Sequence, residues 1–338
     1  MILVINAGSS SIKYKIFELK TLRVIQQGLI EEVKNHHQSF EDLQDGIIDF
    51  EKLRAIGHRV VHGGEHFSEP VLIDAKVIET IKSLTPLAPL HNPANLEGIY
   101  AAQNLAPNIP HIAVFDTAFH QSMPPHSYRY PLPNELYERL HVRRYGFHGT
   151  SHHYVASEAS KILHKPLKEL NLITLHIGNG VSACAIEKGK SIDTSMGMTP
   201  LEGLMMGTRS GSIDPAIVAY LMREGGYGID EVDTLLNKKS GLLGIAGESD
   251  MRTILASKSQ EASLAVDMFT HRLKKQVGAY MAILESVDAL IFTGGIGENS
   301  EQIRTLTCKG LEKFHFKTLV IATDEELQIA LHVKELCT

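Results

Sequence analysis

The stretch MILVINAGSSSIKYKIFELK, residues 1–20, decides how the rest of the chain is read. Residues 2–5 are a short apolar run and residues 12–17 alternate, so a strand is expected on either side of a Gly8-Ser9-Ser10-Ser11 turn. A plain hairpin needs no such run of small residues. Free N–H and hydroxyl groups in such a turn let a phosphate approach the backbone closely. The pattern returns at LITLHIGNGVSACAIE, residues 172–187, where the turn is Gly178-Asn179-Gly180-Val181-Ser182. At an offset of 170, Gly8 falls on Gly178, Ser10 on Gly180 and Ile16 on Ile186. Two such openings predict an α/β protein built from two copies of one domain, with a cleft between them.

The 338 residues suffice for two domains. Thirty-three basic against 39 acidic residues leave a net charge of −6, which argues against a general nucleic-acid binder. Cys184, Cys308 and Cys337 fit no pairing pattern, so a reducing, cytoplasmic setting is expected. No signal-like N-terminus and no apolar run of about 18 residues is present, so no membrane partner is expected. Further strands are expected at 22–28, 55–61, 109–115 and 288–293. Helices are expected at 75–84, 95–105, 153–163 (capped by Thr150 or Ser151), 215–223, 229–237, 261–286 and 325–336.

The common nucleotide motifs are absent. Gly189-Lys190-Ser191 fits the tail of a P-loop, but Cys184 stands where its first glycine is required. Gly295-Ile296-Gly297 lacks the third glycine of a dinucleotide fingerprint. Arg59, in GHRVVHGG, and Arg209, in MGTRSGSIDP, both sit among small residues where a ligand has room. A guanidinium fork suits a carboxylate or phosphoryl group, and the alternative for each is a structural salt bridge. His58 and His62, and His148 and His152, are spaced i, i+4, which raises a zinc hydrolase as a rival, although HExxH is absent. His148, between Phe147 and Gly149, is the best functional histidine. Asp116, at a strand end, could bind metal, orient an arginine or act as a base. Glu325 reads as a first-turn helix acid. Val61, Leu90, Phe147, Pro200 and residues 201–203 could wall a small apolar pocket, or simply pack the core.

The blocks VINAGSSSIKY, GHRVVHGG, LAPLHNPAN, FDTAFHQSMP, RYGFHGTSH, DTSMGMTPLEGLMMGTRSGSIDP, NKKSGLLG and FTGGIGENS run in order through nearly the whole chain. Together they resemble the acetate kinase family, within the superfamily of sugar kinases, actin and heat-shock chaperone ATPases. The resemblance implies duplicated ribonuclease-H-like (actin-like ATPase) domains with nucleotide in the central cleft. The domains implied are 1–120 plus 327–338, and 121–326 for nucleotide binding and dimerisation. It implies reversible phosphoryl transfer between ATP and acetate, giving ADP and acetyl phosphate, with Mg2+ (or Mn2+ as a substitute), in a cytoplasmic homodimer.

Residue by residue, the resemblance gives Asn6 and Glu325 to the magnesium-nucleotide, and Arg59 and Arg209 to acetate and the phosphoryl group. His148 would hydrogen-bond the phosphoryl, Asp116 would orient the site, and His91 would sit nearby. Val61, Leu90, Phe147 and Pro200 match the methyl pocket. Asp250, Met251, Arg252, Gly295, Ile296 and Asn299 match the adenosine site, Gly178-Asn179-Gly180 the phosphate-facing turn, and Ser10, Lys13 and His176 further nucleotide contacts. The chain is short for this family, with trims expected in 22–53 and 301–323. Asp324 stands where the family commonly has Asn, and Met251 where an aromatic is usual. A propionate or other short-chain carboxylate kinase is the nearest rival, and a non-catalytic truncated homologue a further one.

Overall fold

The computed structural model describes residues 1–8, 11–31, 33, 50–89 and 91–337. They fall into two compact units: Met1–Gln121, Phe147–Tyr154 and Asp324–Thr338 in one, Ser122–Gly146 and Val155–Thr323 in the other.

In the first unit, β1 (Ile2–Ala7), β2 (Ser11–Phe17) and β3 (Val24–Glu31) form an antiparallel meander. Next to β1 come β4 (Ala55–Val60) and then β6 (His111–Phe115), both parallel, with the short antiparallel β5 (Val71–Leu72) at the edge. The order is β3-β2-β1-β4-β6-β5. The period of two along β1 divides the core. Leu3, Ile5 and Ala7 pack with Ala101 and Ala102 of helix Asn92–Leu105. Ile2 and Val4 pack with Ile329, Ala330 and Val333 of helix Glu325–Cys337. Each fully buried Ile, Leu or Val side chain among these contributes about 1.5–3 kcal/mol. Gly57 of β4 sets how closely that last helix approaches: a Cβ there would meet Ile329 and Val333 at 2.8 Å.

In the second unit the strands are β7 (Asn171–Ile177), β8 (Val181–Glu187), β9 (Lys190–Thr194), β10 (Ala289–Thr293) and β11 (Lys317–Val320), in the order β11-β10-β7-β8-β9. Again three antiparallel strands are followed by two parallel ones next to the first. The two sheets therefore share one topology, and the fold is a duplicated ribonuclease-H-like one. Helix Gln260–Leu284 packs on β7 and β8. Its buried Val266, Phe269, Leu273, Val277, Tyr280 and Leu284 recur at three- and four-residue spacing, and Ser259 caps it through the Ala262 N–H.

Two expectations need correction. The offset of 170 holds only through the first strand of each hairpin. Leu3 pairs with Ile16, but Ile173 pairs with Ala185, because the second turn is one residue shorter. Ile16 thus corresponds to Ala185, not Ile186. The 149–163 helix also starts earlier than expected, at Gly149, and the Thr150 hydroxyl goes to Asp116 instead of capping it. Among the described residues, no helix is long and apolar enough to cross a membrane.

Candidate active site

In the first unit, β1, β4 and β6 are parallel neighbours, so their carboxyl ends lie together, where α/β sheets commonly bind ligands. Alternation carries the helix-covered face from Ile2 and Val4 to Asn6, from Ala55 and Gly57 to Arg59, and from Ile112 and Val114 to Asp116. Arg59 donates to Asp116 through Nε (3.0 Å to Oδ1) and Nη2 (2.6 Å to Oδ2), a bidentate pair. The Thr150 hydroxyl donates to Oδ1 at 2.8 Å. Glu325 Oε2 lies 3.5 Å from Arg59 Nη2. The Asp116 side chain is only 2 % exposed, so its carboxylate is committed to these partners. Burial alone would lower the Arg59 pKa, but Asp116, Glu325 and Glu326 outweigh it and raise it.

The first turn of helix Glu325–Cys337 is strapped to β2. Lys13 pairs with Glu326 at 2.8 Å, and Lys15 with Asp324 at 2.8 Å and Glu326 at 3.3 Å. Lys13 and Lys15 lie opposite Asn6 and Val4 in register, hence on the same face. Burial pushes the Glu325 carboxyl upward, Asp116 and Glu326 push it further, and Arg59 and Lys13 oppose. Glu326 shifts the other way: burial is outweighed by its bonds to Lys13 and Lys15.

His148 is held in the left-handed region at φ 56°, an uncommon conformation for a non-glycine residue. Both its neighbours are clamped. His120 Nε2 bonds the Phe147 carbonyl at 3.0 Å, and the Gly149 N–H donates to the Asp116 carbonyl at 2.9 Å. A Cβ on Gly149 would run into that carbonyl oxygen, so only glycine fits. Phe147 is buried, edge-on to His62, and Val61 is half-buried. His91 is exposed at the start of helix Asn92–Leu105. Ser10 and Leu90 lie outside the described residues, as does most of the 22–53 stretch read as trimmed.

The spacing of His58 and His62 does not make a metal pair. His58 Nε2 meets His111 Nδ1 at 2.9 Å, and His62 Nδ1 accepts the Gly64 N–H. Among the described residues, no group of three or more His, Cys, Asp or Glu could hold a metal ion by itself.

In the second unit, Arg209 donates to the Pro200 carbonyl at 2.7 Å. Among the described residues no carboxylate lies within ion-pair distance of it, and burial lowers its pKa. Its loop is tied to the glycine turn, the Gly207 N–H donating to the Asn179 carbonyl at 3.0 Å. A cavity of about 710 Å³ brings together Gly178, Asn179, Asp250, Met251, Arg252, Gly295, Ile296 and Asn299. Asp250 caps helix Met251–Ala256 and grips the Arg252 guanidinium, whose hydrogen bonds lower its pKa to about 2. Gly294, at φ 78°, lets helix Gly294–Asn299 approach the β7 end, where a Cβ would meet the Ile177 backbone at 2.9 Å. Gly180 closes the turn by accepting the Gly178 N–H, and His176 is half-buried at the end of β7.

Sequence reading missed Thr150, Gly149, Lys15 and Glu326 as supports. Lys15 was accessible, since it follows Lys13 by two on an alternating strand. Thr150 was not, because its partner is distant in sequence.

The acetokinase family model matches residues 1–47 and 40–334. The two matches overlap at 40–47, so the family pattern is interrupted there, within the stretch expected to be trimmed. An acetate kinase of Sulfurovum sp. is 50 % identical over 382 aligned positions, covering 97 % of this chain and 96 % of the relative. That alignment is longer than the chain, so the relative carries segments this chain lacks. The crystal structure of Porphyromonas gingivalis acetate kinase superposes with a TM-score of 0.95 at 41 % identity, over 100 % of this chain and 99 % of that one. A propionate kinase from Francisella tularensis gives 0.94 at 44 % identity, over 98 % of both chains. With the family model matched over most of its length and one topology in both sheets, the chain belongs to the acetokinase family.

Proposed function

We propose that this chain is an acetate kinase, catalysing reversible phosphoryl transfer between ATP and acetate to give ADP and acetyl phosphate. The observation that carries the reading is Arg209, a partly buried guanidinium with no carboxylate partner among the described residues. Burying a charge is costly unless something pairs it, and an anionic substrate would do so. Arg59, by contrast, is locked to Asp116, and so presents a fixed positive charge.

The chemistry needs no base. Carboxyl groups ionise near about pH 4, so acetate arrives as a carboxylate. The difficulty is to bring two anions together and neutralise the charge on the moving phosphoryl oxygens. Arg59 and Arg209 meet that charge, and His148 donates a hydrogen bond to the phosphoryl group. Asp116 orients Arg59, its oxygens already accepting from Arg59 and Thr150. Val61, Phe147 and Pro200, with Leu90, exclude water around the methyl group. The second-unit cavity takes adenosine, with Gly178-Asn179-Gly180, Ser10, Lys13 and His176 toward the phosphates.

Mg2+ fits the first unit's donors. Glu325 is a half-buried carboxylate whose pKa is raised because nearby cations do not fully offset burial, Asp116 and Glu326. Asn6 and Glu325 would hold the ion, largely through water, as is usual for this hard cation. When bound it supplies charge neutralisation at the nucleotide phosphates. No disulfide joins Cys184, Cys308 and Cys337, which supports a cytoplasmic setting. Helix Ala216–Glu224 buries no residue, and Ile217, Tyr220 and Met222 are exposed, which supports homodimerisation through the second unit.

The test is a hydroxamate assay for acetyl phosphate, with ATP, Mg2+ and acetate varied in turn. Product that requires all three supports the reading. Retained stoichiometric zinc with ATP-independent hydrolysis would overturn it. The propionate kinase likeness favours a second reading, a propionate kinase. A higher kcat/KM for propionate than for acetate would favour it.

A further inference from the structure

The LAPLHNPAN block holds two asparagines that the proposed chemistry leaves without a role. We infer that Asn95 is a positioning residue whose carboxamide replaces one rung between β1 and β4, thereby setting the spacing of Asn6 and Arg59. The inference rests on the kinase reading for its effect on turnover, but not for its geometry.

The β1–β4 pairing runs from Ile2 opposite Ala55 to Ile5 opposite His58. Carried on by two residues, that register would put Ala7 opposite Val60 and aim the Val61 N–H at the Ala7 carbonyl. That rung is not made directly. The Val61 N–H donates to Asn95 Oδ1 at 3.0 Å, and Asn95 Nδ2 donates to the Ala7 carbonyl at 2.8 Å. The carboxamide thus stands between the donor and acceptor of one rung, and the strands part by its width. Its orientation is forced, since a backbone N–H only donates and a carbonyl only accepts. Asn95 is 4 % exposed, so no water can stand in for it cheaply.

The gap opens where the candidate ligands sit. Asn6 directly precedes Ala7, and Arg59 is two residues before Val61. One helical turn earlier, Asn92 grips the next residue. Its Oδ1 accepts the His62 N–H at 3.1 Å and its Nδ2 donates to the His62 carbonyl at 3.0 Å. The start of helix Asn92–Leu105 therefore acts as a substitute strand for Val61 and His62, holding Val61 where the methyl pocket would need it. A misplacement of about 1 Å at such a centre costs on the order of 100-fold in rate. If Asn95 merely satisfied two buried backbone groups, its loss would lower stability alone.

The experiment compares the full chain with Asn95→Asp and Asn95→Ser. In Asn95→Asp, the ionised carboxylate turns an acceptor toward the Ala7 carbonyl, whereas the neutral acid can donate an O–H to it and restore the bridge. At pH 8, kcat for Asn95→Asp is expected to fall about 100-fold. The ratio to the parent should recover at least about tenfold by pH 6, while ADP affinity stays within about twofold. A pH-independent ratio, or parent-like kcat with only a lowered Tm, would overturn the proposal. Should Asn95→Asp fail to fold, Asn95→Ser decides: a kcat loss of about tenfold or more supports the proposal, and a smaller one contradicts it. If the parent makes no acetyl phosphate, the kinase reading has failed. The bridge is then judged by the Val61 amide, which should exchange at least about tenfold faster in Asn95→Ser, and unchanged exchange would sink it.

Discussion

Asp116→Asn separates positioning from proton transfer. The substitution keeps the shape and one acceptor, so Oδ1 can still receive Arg59 Nε and the Thr150 hydroxyl. The other oxygen becomes an NH2 group facing Arg59 Nη2, where 2.6 Å now separates donor and acceptor. Two donors cannot share that distance, so the guanidinium must turn. Its nearest alternative is Glu325, 3.5 Å away. Removing one partner of a buried pair outright costs about 3–5 kcal/mol. With one acceptor kept and Glu325 at hand, the loss of stability should be about 2–3 kcal/mol. The turn displaces Arg59 by on the order of 1 Å, so kcat should fall about 100-fold, or about 2.7 kcal/mol. The assay is hydroxamate turnover at saturating substrates beside urea unfolding, with ADP binding as the control. Turnover within about threefold of the parent would refute the argument that Asp116 fixes Arg59. So would a parent kcat that needs a group to deprotonate well above pH 6 and loses that limb in Asp116→Asn, because Asp116 would then be a base.

Gly149→Ala drives a Cβ into the Asp116 carbonyl oxygen. Overpacking of that kind costs about 1–3 kcal/mol, so both the melting temperature and kcat should drop, and an unchanged kcat would free His148 from the clamp. Val61→Ala should raise the propionate-to-acetate ratio of kcat/KM, since one methylene is worth about 1–3 kcal/mol; an unmoved ratio removes Val61 from the methyl pocket. Burial, and for His58 the neighbouring His111, lower the pKa of both histidines. The unfolded chain protonates them near about pH 6.5 and the fold does not. Stability should therefore be intact above about pH 6.5 and fall below it by up to about 1.4 kcal/mol per pH unit for each. Urea unfolding at pH 7, 6 and 5 measures this, and a flat profile contradicts the neutral pair.

The two hairpins were legible because strand alternation and small-residue turns are local signals. Their registers were not, and a one-residue difference in turn length hid until the pairs Leu3–Ile16 and Ile173–Ala185 were seen. The helices Gly241–Ala246 and Gly294–Asn299 went unread because glycine disfavours helix and neighbouring structure overrides it here. At the site, Arg59, His148 and Arg209 stood out by residue type among glycines, and Asp116 only by its place at a strand end. The pairing of Arg59 with Asp116 did not, because it depends on two parallel strands ending side by side. The same holds for Asn95, which bonds residues 34 and 88 positions away.

The most direct test replaces each arginine separately. Arg59→Ala and Arg209→Ala should each lose at least about 100-fold in kcat for acetyl phosphate formation. Calorimetry should find ADP bound within about threefold of the parent in both, since the second-unit cavity proposed for the nucleotide keeps its lining. Turnover close to the parent in both variants would contradict the account.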